Sequence, residues 1–183
     1  MSAFLRFLGL GGRDNGRIID AVYATIVAAA RQPALYRDYG VPDTPLGRFE
    51  MLSLHMGLLL RAARGADPRV MELVQAVTEE FFKDVDHSLR ELGIGDTGVP
   101  KRMKKLASMF YGRVDAYASA LDAGDMPALA AALSRNVAPE STLADAAGLA
   151  DYARAAAAAI APGFADALLA GKLDFSPTAG EVA

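Results

Sequence analysis

The feature that most constrains this chain is a stripe of apolar residues, Val70, Leu73, Val77, Phe81, Val85, Leu89 and Leu92, recurring at three- and four-residue steps over about six turns. Only an α-helix sets these residues on one face, and such a helix is stable when that face is buried against others. Its ends are marked. Asp67 is an N-cap with Pro68 in the first turn, where the missing amide has no helical partner to lose, and Gly93 is a stop. The same punctuation recurs at Thr44 and Pro45, which open a helix ending near Gly65. Pro100 opens another, to about Asp122, with the stripe Met103, Leu106, Phe110, Tyr117 and Leu121. Upstream, Ile18, Ile19, Val22, Ile26 and Ala30 trace a helix over about 16–31 that Pro33 stops, and "RQPALYRDYGVPDT" reads as a connecting segment. No stretch alternates apolar and polar residues as a strand does. The sequence therefore predicts an all-α fold, a single compact domain of about six helices.

At 183 residues the chain is long enough for one ordinary core. From Pro127 its character changes to two alanine-rich helices, about 127–136 and 142–160, whose small side chains pack closely but bury little area each. This part is expected to be the less stable, with "PGFADALLAGKLDF" adding a last turn or two. The expected organisation is a flexible segment over 1–15, a principal body over 16–123, the alanine-rich helices over 124–175 packed on it, and a tail over 176–183. The longest apolar run, 51–60, is broken by Ser53, His55 and Gly57 and is too short to cross a bilayer. The opening "MSAFLRFLGLGG" lacks the pattern of a secretory signal. The absence of cysteine agrees with a reducing compartment and removes thiol catalysis, disulfides and thiolate metal sites. A cytoplasmic protein is expected, peripheral on the inner membrane at most.

Charge points to three places. In "GVPDTPLGRFEMLSLHMGLLLR", Arg48 and His55 lie seven residues apart on one side of a helix, with Met51 between them and Glu50 elsewhere. The structural reading pairs Arg48 and Glu50 with charges on a neighbouring helix and makes His55 a hydrogen-bonded histidine at the core edge. Glu80, Asp84, His87 and Glu91 form a stripe that uses the grammar of carboxylate-bridged metal bundles. A matching second half is missing, because His55 has Leu52 three residues before it, and a solvated face with Asp86–Arg90 and His87–Glu91 pairs accounts for the same residues. Lys101, Arg102, Lys104 and Lys105 crowd the first turns of a helix, where the dipole disfavours cations; the acids Asp84, Asp86, Glu91 and Asp96 or an external anion could offset them. The cations sit in the richer half: residues 1–114 hold 16 basic and 13 acidic side chains, residues 115–183 hold 3 and 9. No nucleophile elbow or glycine-rich phosphate loop is present, so catalysis is not indicated, and no cofactor is expected.

Three phrases, "YRDYGVPDTPLGRFEMLSLH", "DVDHSLRELGIGDTGVPKRMKKL" and "FYGRVDAYASAL", resemble the ubiquinol-cytochrome c chaperone family, whose mitochondrial members assist cytochrome b biogenesis for the bc1 complex. The resemblance covers about residues 20–123 and, with no long targeting extension, suggests a bacterial-type member. It implies a non-enzymatic assembly chaperone whose client is cytochrome b or another respiratory membrane subunit, with a small second assembly subunit as a further partner. Such a chaperone must present apolar surface, and methionines among leucines suit an adaptable groove. Arg48, Met51, His55, Met56 and Leu59 are accordingly the expected client-binding residues. Lys101, Arg102, Lys104 and Lys105 are expected to meet an anionic surface, either a membrane or the ribosome; without interleaved aromatics, sequence-specific nucleic-acid binding is not expected. The alternative is a helical metal- or haem-binding protein or enzyme using His55, His87 and the nearby carboxylates. Contiguous exposed apolar surface rimmed by Arg48, Arg61 or Lys101 would favour client binding.

Overall fold

A proline in the first turn starts five of the eight described helices, and in three of them a side chain caps it. A computed structural model describes residues 12–93, 98–139 and 143–176 of the chain, and among them lie eight helices and no strand. They are α1 (Gly12–Ala30), α2 (Pro33–Arg37), α3 (Pro45–Ala62), α4 (Pro68–Glu91), α5 (Val99–Ala123), α6 (Met126–Val137), α7 (Ala146–Ile160) and α8 (Phe164–Leu169). The expected all-α fold is present. The side chain of Thr44 accepts from the Gly47 amide, and that of Asp67 from the amides of Arg69 and Val70, so both predicted caps close their helices.

Three boundaries differ from expectation. α1 already runs from Gly12, inside the segment expected to be flexible, whose first eleven residues lie outside the described ones. Pro33 stops α1 and also opens α2, a single turn too short to show a period in sequence. The second alanine-rich helix begins at Ala146, capped by Asp145, rather than at 142, which lies outside the described residues together with 94–97 and 177–183.

α3 is the hub, packed against α1, α4, α5, α6 and α7. Its residues from Glu50 through Leu59 are buried apart from Leu52, as befits a helix apolar nearly all round. One core cluster runs from Val22 on α1 to Phe175 beyond α8, so the alanine-rich helices share the core of the principal body. Their alanines Ala153, Ala155 and Ala156 let α7 approach closely, while Leu149, Tyr152 and Ile160 supply its bulk.

The segment entering α3 is held by two glycines. Gly40 has φ +75°, and a Cβ there would stand 2.5 Å from that of Ala144, where the loop before α7 crosses. A Cβ on Gly47 would collide with the Pro42 carbonyl oxygen. The "YGVPDTPLG" phrase thus encodes a tight crossing that larger residues would block.

Candidate functional site

The interior of α3 carries two polar anchors. Glu50 and Arg113 form a buried ion pair between α3 and α5, Nε to Oε2 2.5 Å. Burial raises the Glu50 carboxyl from 4.5 to about 7, against the pull of the Arg113 guanidinium. His55, five residues on, donates its Nδ1–H at 2.8 Å to the Met51 carbonyl, which can only accept. Nε2 then accepts from the Tyr152 hydroxyl at 2.7 Å, which ties α3 to α7. Burial lowers the His55 pKa to about 4 and keeps the ring neutral. Phe175 packs edge-on against it, ring centroids 5.3 Å apart.

These contacts correct the expected groove. Met51, His55, Met56 and Leu59 are each 0% exposed, so in this structure they form core and offer no surface to a client. The reason is the position of α3, surrounded by five helices, which turns its methionine-leucine run inward. Of the five expected client-binding residues only Arg48 is exposed, paired with Asp43 at 2.7 Å from its own N-terminal loop rather than with a neighbouring helix. Arg61, another expected rim residue, pairs with Asp122.

The open apolar surface lies beside that core. A groove of about 570 Å³ runs between α1, α3, α4 and α5. Val27, Ala30, Phe49, Leu52, Leu89 and Leu106 form its walls, and Leu46 and Leu92, 42% and 59% exposed, stand among its lining side chains. Arg31, Arg48 and Arg102 supply positive charge to this lining, Asp84 and Glu91 negative charge. The fold thus joins Arg48 to Arg102, residues that the sequence had placed in two separate clusters. Missed from sequence were Arg31 and the leucines; an apolar residue directly after the Thr44–Pro45 start, and another at the very end of the α4 stripe, were the available signals.

The acidic stripe of α4 is spoken for. Asp84 accepts from the Tyr23 hydroxyl at 2.7 Å, Glu80 pairs with Lys83, and the expected Asp86–Arg90 and His87–Glu91 pairs are present. Both His55 ring nitrogens are engaged in the core, whereas His87 is exposed, and no group of three or more metal-binding side chains gathers among the described residues. Lys101, Arg102, Lys104 and Lys105 are all exposed, and none has an ion pair among the described residues. No described helix is long and apolar enough to cross a membrane.

The chain is thus a helical domain with a polar-pinned hub and an apolar groove lined in part by arginines. Residues 37–175 match the ubiquinol-cytochrome C chaperone family, and the chain belongs to that family. The match takes in the alanine-rich helices, which the sequence motifs had not reached. Among solved structures, the chain is similar to the Cbp3 homolog from Brucella abortus, at 51% identity and a TM-score of 0.85, over 94% of this chain and 96% of that one. No curated protein matches significantly.

Proposed function

We propose that this family member is a non-enzymatic assembly chaperone that holds an apolar segment of a newly made membrane subunit of the bc1 complex, cytochrome b foremost, in the groove between α1, α3, α4 and α5. The single observation that carries this reading is the groove itself, an open apolar cleft with arginines among its lining residues, on a chain whose family is one of chaperones. A cavity of about 570 Å³ accommodates a few large side chains. An amphipathic or transmembrane-type helix would lay one row of them into it, with its backbone and flanks outside. Arg48 and Arg102 would meet carbonyls or acids at the end of such a segment. Release needs only the loss of these contacts, as no bond is made or broken.

The test is the double substitution Leu46→Glu with Leu92→Glu. Both side chains stand partly in solvent, 42% and 59% exposed, so the helical circular dichroism should persist, while two charges among the groove residues should reduce co-purification of the membrane subunit from detergent-solubilised membranes. Unchanged co-purification would refute the groove. Loss of a small soluble partner, with the membrane subunit retained, would reassign the groove to a second assembly subunit.

A further inference from the structure

We propose that the outer face of α5, built around Lys101, Lys104 and Lys105, is a docking surface for an anionic lipid bilayer. These lysines fall at three- and four-residue steps, so they share one face, which continues through Ser108 to Tyr111. All five residues are exposed, while Phe110, Arg113 and Tyr117 on the opposite side are buried. Three observations bear on what covers this face.

The first is charge with no paired acid among the described residues. The first turn of α5 holds no acid, its N-cap Gly98 makes no side-chain hydrogen bond, and the lysines have no ion pair among the described residues. A cation in the first turn of a helix is disfavoured, so Lys101 is unfavourable within the fold, and an external anion would complement it together with Lys104 and Lys105. The second is the company they keep. Tyr111 is 54% exposed although it rests on Phe82 and Phe110, and Leu92, 59% exposed, borders the same corner of the molecule through the groove it shares with Arg102. Amphipathic rings and aliphatic side chains beside lysines are the composition of an interfacial surface. The third is the choice of cation. Lysine is a flexible point charge suited to a diffuse field of headgroups, whereas RNA recognition favours arginine forks and stacked aromatics, and an aliphatic Leu92 has nothing to gain on a sugar-phosphate backbone. Docked through this face, the molecule would bring the Leu92 and Arg102 side of its groove close to the bilayer. The proposal stands independently of which client the groove takes.

The experiment is co-sedimentation of the full chain with phosphatidylcholine vesicles, with and without phosphatidylglycerol, at low and high salt. The protein should pellet with the anionic vesicles only, and less as salt screens the lysines. Each lysine near such a surface contributes about five-fold in affinity, so Lys101→Gln, Lys104→Gln and Lys105→Gln together should weaken binding on the order of a hundredfold. A charge-matched control, Arg37→Gln, Arg64→Gln and Arg154→Gln, removes three exposed cations elsewhere and should bind nearly as wild type. Because the chain has no tryptophan, Tyr111→Trp adds a single reporter whose emission should shift to the blue on binding. Equal losses in the two triple variants, binding indifferent to phosphatidylglycerol, or binding without a blue shift would each overturn the proposal. So would wild-type protein that ignores vesicles but pellets with ribosomes.

Discussion

Replacing Arg113 by methionine should destabilise the protein strongly, and by an amount that depends on pH. Arg113 supplies the one guanidinium paired with Glu50, and Glu50 is 1% exposed, so its removal leaves a carboxylate in the core with no countercharge. Breaking a buried pair from one side costs about 3–5 kcal/mol. The pH dependence follows from the carboxyl. In the folded wild type it titrates near 7, above its ordinary 4.5, so its contribution to stability is complete below 4.5 and is lost as pH rises through 7. That displacement corresponds to roughly 3 kcal/mol. Without Arg113 its lowering influence on Glu50 disappears, the carboxyl's pKa climbs further, and the loss becomes larger and extends to higher pH. In acid, where Glu50 is neutral in both proteins, the variant should approach wild type. Urea unfolding followed by circular dichroism on either side of neutrality measures the difference, and contributions common to both proteins, including that of His55, cancel in it. Leucine at position 50 together with methionine at 113 should recover most of the stability at alkaline pH, because apolar packing replaces the pair without leaving a lone charge. A loss under about 1 kcal/mol in Arg113→Met, independent of pH, would refute this account of the pair.

Tyr152→Phe removes the donor to a fully buried His55 Nε2 and should cost about 1–3 kcal/mol in the same urea assay; a neutral result would show that the α3–α7 tie is dispensable. His55 itself, depressed to about 4 from 6.5, contributes stability that is present above 6.5 and lost as pH falls through 4, so the double variant His55→Leu with Tyr152→Phe should lose less stability on acidification than wild type. Gly47→Ala drives a Cβ into the Pro42 carbonyl and should lower the thermal midpoint measurably, whereas Gly112→Ala, with open space around it, should not. Arg48→Glu breaks only an exposed pair with Asp43, so helical content should hold while co-purification of the membrane subunit falls.

The helices were legible because each combines a cap, a first-turn proline and a 3.6-residue period, signals that lie close together in the chain. α2 was not, since one turn has no period and Pro33 reads equally as an end or a beginning. Of the residues expected to bind, Arg48 and Arg102 line the groove, while the apolar ones expected beside Arg48 lie in the core. Met51, Met56 and Leu59 are the residue types of an adaptable groove and also of a core, and only the number of helices gathered around α3 decides between the two. That number is a long-range property, set by α5 and α7 far along the chain. Glu50 was expected to find a partner on a neighbouring helix, and Arg113 provides it; sequence spacing could not say which arginine. Leu46 and Leu92 were passed over because an apolar residue at the edge of a helical stripe looks like its continuation, and exposure is visible only after folding.

The placement of Phe175 on His55 bears on how this molecule is made. The hub helix is synthesised early, yet one wall of its surroundings comes from α7 and another from the stretch beyond α8. Until Phe175 has emerged, His55 and the methionines beside it face water or whatever lies nearby, and contacts between such distant parts of a chain form slowly. A member of a chaperone family thus passes, during its own synthesis, through an interval in which its most apolar helix is unsheltered. Shortening the chain before Phe175 should prolong that interval indefinitely, turning the chaperone into a substrate for others.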